Sequence, residues 1–197
     1  MCGRYHISGE DVPEELRDIF AQLERRNALA SVKTAGEVFP TDVVAALANS
    51  RSGEVRPFAM RWGYARGHGR PIINARSETA AAKPLFRDGM LRRRCLIPAS
   101  DYFEWQRSAN PSVRHALRPR GCKMFYLAGI YRLEKREDRL EAAFVILTRP
   151  AAPEIAFLHD RMPVILPQSR ALDWLNPAND PEQILADALA QMEVRPQ

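Results

Sequence analysis

Four short polar strings interrupt an otherwise apolar pattern, and each carries a group able to do chemistry. They are Cys2 in the opening Met1-Cys2-Gly3-Arg4-Tyr5, Asn74 in Ile73-Asn74-Ala75-Arg76-Ser77-Glu78-Thr79, Glu104 in Asp101-Tyr102-Phe103-Glu104-Trp105, and His159 in His159-Asp160-Arg161-Met162-Pro163. A thiol, an amide, a carboxylate and an imidazole make up the acid/base set that imine chemistry needs. Loss of Met1 would leave Cys2 with a thiol and an α-amine on one two-carbon unit. The amine of such a 1,2-aminothiol condenses with an aldehyde to an imine, and the tethered thiol then closes a five-membered thiazolidine. An α-amine with a pKa near ~7.8 is roughly a tenth neutral at pH 7, against well under ~0.1% for a lysine, and closing the ring within one molecule adds an effective-molarity gain. Arg4, Arg76 and Arg161 stand beside these groups, and guanidinium forks next to a reactive centre suit phosphate. Residue type alone leaves plain structural uses open: a small residue after the start, a turn-capping Asn, an exposed strand carboxylate between aromatics, a packing histidine. Each arginine could equally pair with a carboxylate, Arg161 with its neighbour Asp160 first among them.

The composition narrows the class. At 197 residues, 46% hydrophobic and 27% charged, the chain fits one domain over residues 1–197 with a full core. No apolar run is long enough to cross a bilayer and the N-terminus lacks a signal-peptide layout, so a cytoplasmic protein without membrane contact is expected. Cys2, Cys95 and Cys122 are odd in number and form no CxxC pair, which argues against a disulfide framework or a zinc site; no metal and no organic cofactor is expected. An excess of 29 Lys+Arg over 24 Asp+Glu, net +5, suits a polyanionic partner. The run Arg92-Arg93-Arg94 reads as a solvated turn.

The elements that must hold the four groups are short. The capping-box spacing of Asp11 and Glu14, with Leu16, Ile19, Phe20 and Leu23 at helical intervals, predicts a first helix. Apolar runs rich in β-branched and aromatic residues predict strands at residues 43–47, 57–62, 96–97, 102–105, 124–131, 144–148 and 164–166. Helices are expected at 79–87, 153–158, 168–175 and 181–192, loops at 67–69 and 108–112, and a frayed tail at 193–197. Strands that follow one another without regular helices predict an α+β fold: a mixed, mostly antiparallel sheet or barrel-like β core with peripheral helices. Trp62, Trp105 and Trp174 read as core, and His6, His68 and His115 as surface or loop residues.

Along the chain stand MCGRY from Met1, WG at Trp62 and Gly63, NARSET from Asn74, RRCLIPAS from Arg93 running into DYFEW, AGIYR from Ala128, ILT ending at Thr148, and HDRMPVIL from His159. In that order and spacing, from Met1 to about Leu175, the chain closely resembles the SOS response-associated peptidase (SRAP) family, which senses abasic sites in single-stranded DNA. The resemblance implies that Cys2, freed of Met1, captures the ring-opened aldehyde of an abasic deoxyribose as a thiazolidine DNA-protein crosslink; it leaves open whether lyase scission of the strand competes. It implies that Asn74 holds the Cys2 amine and sugar hydroxyls, that Glu104 positions or deprotonates the amine and takes part in removing Met1, and that His159 is a general acid toward the ring oxygen or imine. Arg4, Arg76 and Arg161 would clamp phosphates, Thr148 would add a hydroxyl contact, and Pro40 would help splay the strand. The partner would be single-stranded DNA containing abasic sites, met by a monomer. A carboxylate between Phe103 and Trp105 is expected to be desolvated, with its pKa raised.

The chain departs from the family pattern at Glu37-Val38-Phe39-Pro40, where many relatives carry Asn-x-Ala-Pro. It departs again at Arg66-Gly67-His68-Gly69, where some carry tryptophans, and at Arg149, where small residues are usual. Three rivals stand beside this reading. A class II glutamine amidotransferase also opens on Cys-Gly, but its later glycine-rich strings are missing here. A peptidase acting on other proteins would need a substrate cleft. A non-covalent single-stranded DNA-binding module would hold intact and abasic strands alike, with affinity falling steeply in salt.

Overall fold

The structure is a computed structural model that describes residues 2–9, 14–26, 28, 32–106 and 111–197. In chain order its elements are β1 (Tyr5–Ile7), α1 (Glu14–Arg25), β2 (Gly36–Val38), β3 (Val43–Asn49), β4 (Val55–Trp62), β5 (Asn74–Arg76), α2 (Ser77–Ala80), α3 (Pro84–Arg92), β6 (Arg94–Ala99), β7 (Asp101–Gln106), β8 (Val113–Pro119), β9 (Phe125–Arg136), β10 (Arg139–Pro150), a 3-10 turn at Pro153–Ile155, β11 (Arg161–Pro163), β12 (Ile165–Leu166), α4 (Gln168–Leu175), α5 (Pro181–Ala186) and β13 (Met192–Pro196).

Two sheets organise these strands. One runs β13-β8-β7-β1-β2 and is antiparallel throughout. The other runs β11-β10-β4-β3-β6-β9-β12, and because β9 also pairs with β10, the five strands β10-β4-β3-β6-β9 close into a barrel. Among the described residues only β4 and β5 run parallel to β10, so the sheet is mixed and mostly antiparallel, as the sequence predicts. Closure brings backbones together at Gly129, which pairs with Cys95 on one side and Ile146 on the other. A Cβ there would lie 2.5 Å from Ile97 Cδ1 and 3.0 Å from the Val145 carbonyl oxygen, so the strand needs a glycine.

Both faces of the barrel strands are covered, and the buried residues alternate between two cores. Cys95, Ile97, Phe144 and Ile146 join Cys2, Tyr5, Trp62, Tyr102 and Leu117 in the core between barrel and five-stranded sheet. Leu96, Ala143, Val145 and Leu147 face a second core with Phe86, Met90, Trp174 and Ile184 of the helices. This double burial explains why all six residues of β6 are buried. Helix α1 lays Leu16, Ile19 and Leu23 on β3 and β4. Its expected cap at Asp11 lies outside the described residues, as do residues 108–110 of the expected 108–112 loop.

Several expectations need correction. The helix expected at 79–87 is two, because Pro84 cannot continue α2 and instead opens α3 at its first turn. The stretch at 153–158 makes only a 3-10 turn. The helix at 181–192 stops at Ala186, and the tail is a strand: β13 pairs with β8 from Met192↔Pro119 to Pro196↔His115. Local pattern gives no sign of β13, since the exposed edge of β8 is what orders it. Strands β1, β2 and β8 lack a local signal as well, being short or charge-rich. Nor is Arg94 part of a solvated turn. It is buried, stacks on Trp174 and donates to the carbonyls of Met90, Trp174, Asn176 and Asn179, tying the ends of α3 and α4 together. Desolvation pulls its pKa down from the usual arginine range.

Candidate active site

The N-terminal residues reach the core by pairing with β7. Tyr5 faces Tyr102 across β1 and β7, and Phe103 donates its amide to the Arg4 carbonyl at 3.0 Å. The same carbonyl accepts the Cys2 thiol, Sγ to O 3.8 Å. Cys2 is fully buried. Burial pushes its thiol pKa up, and the Glu104 carboxylate adds to the rise, so the resting sulfur is a neutral S–H. Asn74, the first residue of β5, donates Nδ2–H to the Cys2 carbonyl at 2.9 Å. Its Oδ1 is buried and accepts no hydrogen bond, leaving an acceptor for a donor that comes with a ligand or a freed amine.

Alternation along β7 sends Tyr102 and Glu104 to the inner face and Phe103 and Trp105 to the outer one. Glu104 is buried, on the face of β7 opposite to Phe103 and Trp105. Tyr102 shares its face of β7, and His115 is its register partner on β8. His115, expected at the surface or in a loop, is therefore corrected: it is buried and meets the Phe157 ring edge-on at 5.9 Å. Tyr5 and Tyr102, both fully buried near Cys2, carry hydroxyls without hydrogen-bond partners, and burial drives both phenol pKa values up. Sequence reasoning misses these two hydroxyls, although each lies inside one of the four strings.

The neighbours of β10 arrange a second row of site residues. β10 pairs with β5 at Thr148↔Arg76 and with β11 at Thr148↔Pro163, so Arg76, Thr148 and the Arg161 strand lie side by side. Arg76 is exposed and no carboxylate pairs with it among the described residues. Arg161 is nearly buried and does not pair with Asp160. Its guanidinium binds Glu78 through two bonds, 2.5 and 2.8 Å, and donates to the Thr148 carbonyl at 2.7 Å. That hydrogen bond from Arg161 holds the Glu78 carboxyl down to about 2. Thr148 is fully buried, with its hydroxyl toward the Ala75 carbonyl and Arg161, and so offers no surface to a DNA oxygen. It braces Arg161 instead. His159, just before β11, lies with Nδ1 3.0 Å from the Arg161 amide nitrogen and 2.6 Å from Asp160 Oδ1. The neutral ring with its proton on Nε2 accepts from that amide, while a protonated ring can donate to Asp160.

Arg4 occupies the outer face of the five-stranded sheet. Its guanidinium sits 4.4 Å from the Phe39 ring centre and 5.0 Å from that of Trp105, and pairs with Glu37 at 3.2 Å. Trp105 is thus only partly buried, beneath a cation, rather than core, whereas Trp62 and Trp174 are core residues as expected. Glu37 also pairs with Arg114, which stacks on Phe103 at 3.8 Å. Pro40 is the second residue of a turn closed by the Asp42 amide on the Phe39 carbonyl, 3.0 Å. Thr41 follows at φ 81, a conformation that favours glycine. Asp42 Oδ2 anchors this turn through the Phe39 amide and Lys33. Gly63 of the WG string has φ 108, and a Cβ on it would meet Pro71 at 2.9 Å.

The structure thus brings Cys2, Asn74 and Glu104 to one inner-face centre. Arg76 remains open to a ligand, Arg4 is partly exposed and paired with Glu37, and Thr148 and Arg161 are locked into the support of β11. Among the described residues no group of three His, Cys, Asp or Glu side chains could hold a metal ion, and no helix is long and apolar enough to cross a membrane.

Comparison with known proteins adds sequence and fold relatives. A family model described as SOS response associated peptidase (SRAP) matches residues 1–196, reaching past Leu175 to include β13. The abasic site processing protein YoqW of Bacillus subtilis (strain 168) is 31% identical over 196 residues, covering 93% of this chain and 84% of that protein. The abasic site processing protein YobE of the same organism is 31% identical over 195 residues, covering 93% and 86%. A crystal structure of a protein from Bacteroides thetaiotaomicron superposes with a TM-score of 0.77 at 22% identity, covering 99% of this chain and 91% of that one; at that identity it speaks to the fold.

Proposed function

The chain belongs to the SOS response associated peptidase (SRAP) family, and on that premise we propose that it captures abasic sites in single-stranded DNA as a thiazolidine crosslink through Cys2 after Met1 is removed. Its relatives' names as abasic site processing proteins support the substrate. The observation that carries the chemistry is the Asn74 side chain, which binds the Cys2 carbonyl through Nδ2 and keeps a buried acceptor, Oδ1, beside it. That acceptor suits the amine of a freed Cys2 or a sugar hydroxyl.

In this mechanism the Cys2 amine adds to the C1′ aldehyde of the opened deoxyribose. The carbinolamine loses water to give an imine, and His159 donates the proton that lets oxygen leave. The thiol then adds across C=N: the sulfur–carbon bond forms and the sulfur's proton ends on nitrogen, closing the ring without any oxidant. Because burial keeps the thiol neutral, Glu104 takes the proton as sulfur attacks and returns it to nitrogen. Glu104 would likewise serve in removing Met1, and strand scission would follow from the same imine. Arg76 takes a backbone phosphate, Arg4 with Trp105 and Phe39 meets the flanking strand, and Pro40 turns it. Arg161 and Thr148 act by holding β11 and the His159 ring in place. This reading takes residues 1–197 as one domain working as a monomer.

Intact-mass spectrometry with and without an oligonucleotide bearing one abasic site tests the reading. The expected mass is that of the chain without Met1, raised by the oligonucleotide when the lesion is present, and Cys2→Ala should give no adduct. Retained Met1, or a full-yield adduct from Cys2→Ala, would overturn it. Glu104→Gln and His159→Ala should slow crosslinking while melting within a few degrees of the parent.

A further inference from the structure

Between Tyr64 and the strand that carries Asn74, the chain makes a loop closed by reciprocal backbone bonds between Tyr64 and Ile72, 2.9 and 3.0 Å. Beneath the loop lies a cavity of about 430 Å³ whose lining includes Arg61, Arg66, Arg136, Gly67, Gly69 and Thr41, and no carboxylate. Arg61 is buried; it donates Nη1–H to the Gly63 carbonyl at 2.7 Å and pairs through Nη2 with Glu134, while its Nε is buried without an acceptor. Glu134 is shared: it also accepts from Arg132 at 2.7 Å and from the Ala65 amide at 2.9 Å. Arg136 reaches Glu141 only at 3.8 Å, with both side chains about half exposed, a separation at which little is gained. Arg66 is exposed, and no carboxylate pairs with it among the described residues. Three arginines thus line the cavity, and a buried N–H of one of them, Arg61 Nε, lacks an acceptor.

We propose that this cavity is a phosphate subsite that takes a backbone phosphodiester of a nucleic-acid strand. An apolar occupant would desolvate the Arg66 and Arg136 guanidinium groups without giving them an acceptor, whereas phosphate oxygens accept from several forks at once. The strand is the source because of what walls the cavity. Thr41 belongs to the same turn as Pro40, its amide bonds the Trp62 carbonyl at 2.8 Å, and Trp62 Nε1 bonds the Ile73 carbonyl at 3.0 Å, one residue before Asn74. A strand lying over the Pro40 turn toward Asn74 therefore has this cavity on its path. The choice of a strand rests on the proposed function, but the subsite needs no covalent chemistry and is tested without it.

The test uses the full chain and a lesion-free single-stranded oligodeoxynucleotide, with binding followed by fluorescence anisotropy across a salt series. The paired change Arg66→Gln with Arg136→Gln should weaken binding about tenfold and lower the slope of log K against log salt by about 0.7 for each phosphate no longer neutralised. Arg17→Gln, on the exposed side of α1, removes a charge elsewhere and should leave the slope unchanged. Unchanged affinity and slope in the paired variant would overturn the subsite, as would a parent chain with no salt-dependent binding to this strand. A second arm titrates inorganic phosphate against the melting temperature. If phosphate stabilises the parent but not the paired variant while strand binding is equal in both, the cavity takes free phosphate and the strand assignment is wrong. Failure to crosslink an abasic oligonucleotide with strand binding intact would refute the proposed function and spare the subsite.

Discussion

Replacing Glu78 with Gln should cost stability at neutral pH and cost almost nothing in acid. The two short bonds from Arg161 hold the Glu78 carboxyl at about 2, against an ordinary 4.5. Each tenfold change in that protonation equilibrium is about 1.4 kcal/mol, so the fall corresponds to at most about 3.5 kcal/mol. The Glu78 side chain is 44% exposed, and solvent screening with side-chain ordering reduces the expected effect to about 1 kcal/mol. Because the folded-state pKa lies below the unfolded one, the stabilisation is complete above about pH 4.5 and is lost as pH falls toward about 2. Urea unfolding of parent and Glu78→Gln at pH 7 and pH 3 reads this directly. At pH 7 the variant should be weaker by about 1 kcal/mol, a melting shift of roughly 2–4 °C in a chain of this size, and at pH 3 the gap should shrink by more than half. A gap that stays the same at both pH values would show that the carboxylate charge is not what Arg161 uses. Arg161→Ala should be worse than Glu78→Gln, since it also takes a donor from the Thr148 carbonyl.

Three further outcomes follow from particular contacts. Asn74→Ala removes the side-chain donor to the Cys2 carbonyl; at about 1–3 kcal/mol for the orphaned group, crosslinking to an abasic oligonucleotide should slow by roughly 10- to 100-fold, and a rate equal to the parent's would sink the role given to Asn74. Gly129→Ala forces a methyl against Ile97 and the Val145 carbonyl and should destabilise by about 1–3 kcal/mol in urea; an unchanged midpoint would mean that the barrel has slack at its closure. Thr41→Gly relieves a β-branched residue held at φ 81 and should raise stability by about 1 kcal/mol after glycine's own entropy cost, read as a higher melting temperature, whereas a lower one would show that the turn relies on the threonine side chain.

Residue type and local period carried much of this protein in the sequence alone. Leu16, Ile19 and Leu23 specify the buried side of α1 with no help from the rest of the chain, and the long apolar runs of β9 and β10 announce a β core. The strings around Cys2, Asn74, Glu104 and His159 single out the candidate groups, because a thiol or an imidazole is chemically distinct wherever it falls. Partners are another matter, since pairing is set by chain closure over long separations. Arg161 has a carboxylate one residue away, yet it binds Glu78 on the far side of β10. The residues around Glu104 in sequence are Phe103 and Trp105, yet strand alternation turns them outward and sets Tyr102 and His115 beside it. Short or charged stretches such as β1, β2 and β13 have no periodic signal of their own; they are strands only because an edge of β7, β1 or β8 supplies the hydrogen bonds. Residue identity names the chemistry the chain can carry. Which groups share a centre, which arginines stay open and which are tied down follow only from the fold, because burial and ion pairing depend on neighbours that the folded chain alone brings into contact.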